Sequence, residues 1–237
     1  MSAARANGYH ILCLHGGGTN EAVMRAQTAK LRARLRPLVS FHFLQGQHPT
    51  HALDPAVSAK FGAANFFSWY DVEVSDRNGR DYVECLLDDT VIFRYPGVDS
   101  ALAHLEKHIE AGTPCGSQYS AVLGFSQGAV LATLLTARAL AGGGAPSWRG
   151  VISVAGMPVR ANQFRHLFPP QTAPLDFPCV IAQGSEDPFY EWGKRMTAVW
   201  HQADVIEYPE GHRFPHARPS NERLAASILR LLEQQDQ

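Results

Sequence analysis

The feature that most constrains this chain is a point where one strand must break directly into a helix. Tyr119 to Leu123 is an apolar run, Ala129 to Leu140 is an Ala/Leu-rich helical stretch, and Gly124-Phe125-Ser126-Gln127-Gly128 joins them. Glycines two residues before and two after the serine let the backbone turn sharply and leave room for a neighbouring strand and helix. Ser126 therefore projects from the sheet edge at the start of a helix.

Short apolar runs recur along the whole chain and alternate with helical patterns. Tyr9–Leu14, Val39–Leu44, Tyr119–Phe125, Gly150–Ala155, Cys179–Ala182 and Val205–Tyr208 read as strands. Their apolar residues are continuous, not alternating, which is what a parallel sheet covered on both faces requires. Met24, Thr28, Leu31 and Leu35 follow a helical spacing behind a Thr19-Asn20 cap. Asp99 is placed to cap a helix carrying Leu102, Leu105 and Ile109, and Ser220 one carrying Leu224, Ile228, Leu231 and Leu232. The predicted architecture is α/β: a mainly parallel sheet of about six strands with helices on both faces. At 237 residues one domain is expected.

One segment breaks the rhythm. Gln45 to Tyr95 is too long for a simple connection and carries Phe61, Phe66, Phe67, Trp69, Tyr70 and Tyr82. This insertion (45–95) after the second strand reads as a lid or pocket wall for an apolar substrate, with Phe66, Phe67 and Trp69 as its contacts.

Charge and cysteine usage narrow the function classes. A net charge of -1 gives no nucleic-acid footprint. Arg25, Lys30, Arg32, Arg34 and Arg36 read as the solvated face of a helix. Cys13, Cys85, Cys115 and Cys179 form no C-x-x-C pair and suit a reducing compartment. The first eight residues have no apolar core of an export signal, no run approaches 18 apolar residues, and Gln235-Asp236-Gln237 is no peroxisomal signal. The expectation is a cytoplasmic protein with neither membrane nor nucleic-acid partners.

A serine at such a turn can act as a nucleophile if a base removes its proton and a carboxylate orients the base. Two later strands end in suitable groups: Cys179–Ala182 runs into Gln183-Gly184-Ser185-Glu186-Asp187-Pro188, and Val205–Tyr208 into Pro209-Glu210-Gly211-His212. The order Ser126, Asp187, His212 is that of a hydrolytic triad. Asp187 also suits the cap of a helix starting at Pro188, and the two roles are compatible. Glu186 is the alternative carboxylate and His216 the alternative base. Backbone N–H groups for an oxyanion would come from Gln127 and from His15-Gly16-Gly17-Gly18 after the first strand, Gly17 first and Gly18 next. A phosphate-binding loop is disfavoured, because neither glycine spacing for one is present. The histidines and cysteines show no metal-ligand spacing, and the chemistry calls for no metal and no cofactor.

Strand–HGGG, strand–GFSQG–helix, strand–GSED and strand–GH in this order resemble a trimmed α/β-hydrolase. More narrowly, Ile11-Leu12-Cys13-Leu14-His15-Gly16, Leu123 to Ala129, and Gly211-His212-Arg213-Phe214-Pro215 resemble the FSH-type serine hydrolase family over nearly the whole chain. The HGGG loop follows the first strand, so the two antiparallel edge strands that precede it in larger hydrolases are expected to be absent. The resemblance implies a Ser-His-Asp esterase or thioesterase acting on a small-molecule ester or thioester. The opening segment through Gln27-Thr28-Ala29 is similar to fungal members encoded with polyketide synthases, which release or edit acyl chains, and this implies an acyl carrier domain as a partner. Two rivals use the same pocket: a non-hydrolytic protein that binds or isomerises a small hydrophobic ligand, and an acyltransferase.

Overall fold

A computed structural model describes residues 8–62, 65–168 and 174–234. Most of the N-terminal segment and all of the C-terminal triplet on which the targeting expectations rest lie outside the described residues. In chain order the elements are β1 (Tyr9–Leu14), α1 (Glu21–Gln27), α2 (Ala29–Leu35), β2 (Val39–Leu44), β3 (His48–Thr50), α3 (Pro55–Phe61), β4 (Phe66–Ser68), β5 (Glu73–Val74), α4 (Tyr82–Leu87), β6 (Phe93–Arg94), α5 (Val98–Ala111), β7 (Ala121–Phe125), α6 (Gln127–Ala141), β8 (Val151–Val154), β9 (Cys179–Gly184), α7 (Tyr190–Gly193), β10 (Ala203–Tyr208) and α8 (Arg218–Glu233). Six strands form one sheet in the order β10-β9-β8-β7-β1-β2, every pair parallel. The six apolar runs are these six strands.

Alternate residues of β1 reach opposite cores. Leu12 and Leu14 pack with Leu102, Leu105 and Ile109 of α5 and with Val130, Leu131, Leu134 and Leu135 of α6. Ile11 and Cys13 pack on the other face with Met24, Leu31 and Leu35 of α1 and α2 and with Leu224, Ile228, Leu231 and Leu232 of α8. Both faces are dry, which explains the unbroken apolar strands. Each fully buried Leu or Ile contributes roughly 1.5–3 kcal/mol.

Three helix expectations are corrected. The pattern from Met24 to Leu35 is two helices, because Thr28 turns its hydroxyl back to donate to Met24 O (2.8 Å) and Arg25 O (3.3 Å) and opens the backbone there. Asp99 lies inside the first turn of α5, whose cap is Gly97 at φ 81°. Ser220 lies inside the first turn of α8, which begins earlier because Pro219 occupies a position where a missing N–H costs nothing.

The strand order places the site. The chain runs outward from β1 to β2 and later returns to β7 on the other side of β1. At such a reversal the loops leaving the two central strands diverge and open a crevice at their carboxyl ends. The loops that meet there are His15–Gly18 after β1 and Ser126 after β7, with Leu14 opposite Gly124 in register. The 45–95 insertion folds over this end as two antiparallel ribbons, β3 with β4 and β5 with β6, together with α3 and α4.

Candidate active site

The turn at Ser126 holds the conformation its glycines imply. Ser126 has φ 51° and ψ -116°, a region that a non-glycine residue occupies only when its surroundings enforce it. Its N–H donates to Val154 O (3.0 Å). A Cβ on Gly124 would stand 2.4 Å from the Ala129 backbone, and one on Gly128 would stand 2.3 Å from Leu14 O. Glycine alone lets β1, β7 and α6 approach this closely. The 15-residue α6 begins at Gln127, so its unpaired N–H groups and positive dipole end lie beside the serine.

Ser126, His212 and Asp187 come together from the ends of three strands. His212 Nε2 lies 2.9 Å from Ser126 Oγ, and His212 Nδ1 lies 2.7 Å from Asp187 Oδ2. The second oxygen of Asp187 accepts from Phe189 N–H (2.8 Å), so the carboxylate holds the following turn and faces the ring at once. Its side chain is only 2 % exposed, whereas that of His212 is 26 % exposed. Phe125 and Phe189 flank the imidazole at 5.1 and 5.2 Å between ring centroids. A hydroxyl so placed can pass its proton to the ring as it attacks a carbonyl. The alternatives Glu186 and His216 are both exposed, and the His216 N–H donates to Glu210.

The loop after β1 is held from several sides. His15 is buried, and Gly46 N–H donates to its Nε2 (2.9 Å). Burial pulls the imidazole down to about 4, against a small opposing effect of its bond to Gly16, so the ring is neutral at pH 7. Gly18 N–H is committed to Ser68 Oγ (3.2 Å). Among the described residues, no protein acceptor occupies the N–H of Gly17 or of Gln127. A Cβ on Gly17 would stand 3.2 Å from the side-chain Oε1 of Gln127, so the loop after β1 packs directly against the first residue of α6.

The aromatic segment of the insertion differs from expectation. Phe66, Phe67 and Trp69 do not line the cavity that contains Ser126. Phe67 pairs its backbone with Thr19 (2.7 and 3.2 Å), and Phe66 and Phe67 border a separate hollow with Pro49 and His51. Trp69 is fully buried: its Nε1–H donates to His15 O (2.8 Å) and its backbone N–H to Gln127 Oε1 (2.8 Å). Gln127 Nε2 in turn donates to Tyr70 O (2.8 Å). The segment clasps both site loops: the buried indole N–H is paired with His15 O and the backbone N–H with the Gln127 side chain, which satisfies donors that no solvent reaches.

The cavity beside Ser126 has a volume of about 590 Å³. Its walls include Tyr70, Tyr82, Leu86, Tyr95, Met157 and Trp192, with Leu53 and Val57 nearer the rim. Tyr70 and Tyr82 belong to the aromatic insertion already read as a pocket wall, whereas Leu86, Tyr95, Met157 and Trp192 carry no signal in the sequence that marks them. Burial pushes the phenols of Tyr70 and Tyr95 upward and that of Tyr82 to about 12, so all three stay neutral. Among the described residues, no group of three or more His, Cys, Asp or Glu side chains converges as a metal ion would need.

The buried His15 makes stability pH-dependent. Its folded value near 4 lies below the ordinary 6.5, so the unfolded chain binds a proton that the folded chain refuses between those limits. This contribution is complete above pH 6.5 and is lost as pH falls towards 4, by about 3 kcal/mol. Denaturant unfolding at pH 7 and pH 4.5 should show wild type losing more stability than His15→Asn. Equal losses would mean that His15 titrates normally.

The chain is similar to known proteins over part or nearly all of its length. A family described as serine hydrolase (FSH1) matches residues 4–224. Esterase FPY3 of Fusarium mangiferae is 26% identical over 86% of this chain and 88% of its own length. The dihydromonacolin L-[lovastatin nonaketide synthase] thioesterase of Aspergillus terreus is 31% identical over 53% of this chain and 45% of its own length. Among solved structures, Arabidopsis thaliana SOBER1 superposes with a TM-score of 0.57 at 20% identity, covering 95% of this chain and all of that one, a likeness of fold.

Proposed function

This chain belongs to the serine hydrolase (FSH1) family, and from that premise we propose that it cleaves esters or thioesters of apolar acyl groups through Ser126, His212 and Asp187. One observation carries the reading. A serine hydroxyl, an imidazole and a buried carboxylate stand in line at 2.9 and 2.7 Å, beside two uncommitted backbone amides and a cavity walled by apolar and aromatic side chains.

In this mechanism Ser126 Oγ attacks the acyl carbon while its proton passes to His212 Nε2. Asp187 Oδ2 accepts from His212 Nδ1–H and stabilises the imidazolium. The carbonyl oxygen, now negative, takes hydrogen bonds from Gln127 and Gly17 N–H, each worth roughly 3–4 kcal/mol in such sites. The imidazolium returns its proton to the departing alcohol or thiol. Water then cleaves the acyl-enzyme with His212 again as base. The acyl chain lies along Tyr70, Leu86, Tyr95 and Met157. The name of the Aspergillus terreus relative supports a thioester leaving group carried on a synthase, and an acyl carrier domain as partner follows from that reading.

The test is a graded series of activated esters and matched thioesters, from acetyl to decanoyl, with free acid and released thiol both measured. Turnover should rise by about fourfold in kcat/KM per methylene while the cavity fills, since each buried methylene is worth ~0.8 kcal/mol. Met157→Trp should fill part of the cavity and abolish that gain for long chains only. Trp69→Phe, which removes the donor to His15 O, should lower kcat/KM about tenfold for short and long chains alike, the effect of one lost buried hydrogen bond. No turnover on any member of the series, or a Trp69→Phe loss confined to long chains, would overturn the reading.

A further inference from the structure

Building on that reading, we propose that His15 and Thr19 are positioning residues that aim the Gly17 N–H at the developing oxyanion. The case begins with the His15 ring. Gly46 N–H can only donate, and it donates to His15 Nε2 at 2.9 Å, so Nε2 is the bare nitrogen and Nδ1 carries the proton. Nδ1 lies 2.8 Å from Gly16 O and donates that proton to it. Thr19 Oγ1, with its hydroxyl 2.6 Å from the same oxygen, is a second donor to it. Two donors therefore converge on one carbonyl.

The consequence follows from peptide geometry. In a trans peptide the C=O and the following N–H point in opposite directions. With Gly16 O drawn towards His15 and Thr19, the Gly17 N–H faces away from them. A Cβ on Gly17 would stand 3.2 Å from the side-chain Oε1 of Gln127, and one on Gly16 would lie 3.4 Å from Ser126 Cβ, so this peptide packs between the serine and the Gln127 side chain. Glycine at 16 and 17 leaves this peptide free to rotate in the absence of the two donors. The donors are themselves fixed. Trp69 lies over the His15 ring at 5.0 Å with its Nε1–H on His15 O, and Thr19 is pinned by backbone pairing with Phe67. A neutral imidazole is essential, because a protonated Nε2 would repel the Gly46 donor and release the ring.

His15 does not line the cavity, and Thr19, which borders it, turns its hydroxyl to Gly16 O, so the effect belongs to the transition state. Thr19→Val keeps the shape and the backbone pairing but removes the hydroxyl, and Thr19→Ser restores it. Thr19→Val should lower kcat about 30-fold with KM unchanged, below the roughly 10²–10³-fold cost of losing an oxyanion donor outright. Its rate of fluorophosphonate labelling should fall in parallel, because the phosphonyl oxygen takes the place of the carbonyl oxygen. Thr19→Ser should return both rates to within about threefold of wild type. His15→Asn, whose amide nitrogen falls near Nδ1, should retain more activity than His15→Gln, whose amide falls near Nε2. Where a His15 variant fails to fold, the Thr19 pair decides.

The proposal falls if Thr19→Val matches Thr19→Ser, or if the loss appears in KM with kcat and labelling unchanged. Wild type that neither turns over the ester series nor labels at Ser126 would overturn the proposed function instead, so the two failures are distinct.

Discussion

Ser126→Ala is expected to abolish fluorophosphonate labelling and to lower kcat by about 10⁶-fold, with the fold unchanged. The hydroxyl stands 2.9 Å from His212 Nε2 at the start of α6. Its removal leaves no atom to carry the acyl group. His212→Ala should cost a similar factor, and the double variant hardly more, because the two act as one unit. The measurements are kcat for the two single variants and the double variant, with mass analysis of the labelled peptide. Labelling that persists in Ser126→Ala at another serine, or a double variant whose loss is the product of the single losses, would remove Ser126 and His212 from their roles.

Asp187→Asn is expected to fold normally and to lose about 10⁴-fold in kcat. The environment of Asp187 decides how the asparagine must sit. Oδ1 accepts from Phe189 N–H, so the amide oxygen must stay there. The amide nitrogen then faces His212 Nδ1 at the place of Oδ2. A donor in that position forces Nδ1 to be the acceptor and moves the ring proton to Nε2. A protonated Nε2 cannot receive the proton of Ser126. KM should change little, because the cavity walls are untouched. A crippling Glu186→Gln beside an active Asp187→Asn would transfer the role to Glu186, which is exposed.

Trp69 illustrates what a residue's type conveys and what it conceals. An aromatic cluster in a long insertion reads as a pocket wall, since aromatic side chains supply large apolar areas. The indole also carries one donor, and a buried donor must find an acceptor. Here the acceptor is His15 O, so Trp69 braces the loop and does not line the cavity. The wall is built instead by Tyr70, Tyr82, Leu86 and Tyr95 from the same insertion, together with Met157 and Trp192 from elsewhere in the chain.

The six parallel strands, the sharp turn at Ser126 and the order of Asp187 and His212 were legible from residues alone. Each depends on local chemistry: continuous apolar runs mean a sheet covered twice, and paired glycines mean a close approach of strand and helix. The sequence ranks Asp187 above Glu186 and His212 above His216, and the fold adds that Asp187 and His212 turn towards each other and Ser126 while Glu186 and His216 are exposed. The same holds for Gly17 over Gly18, decided by Ser68 some 50 residues away. The helix caps at Asp99 and Ser220 were misplaced because Gly97 and Pro219 set the turns from outside the side-chain pattern. Local periodicity and turn chemistry thus determined the scaffold and the candidate reacting groups. Contacts between residues far apart in sequence decided which amide is free, which tautomer His15 holds and which side chains line the cavity beside Ser126, since no local pattern encodes the partner a buried polar group will find.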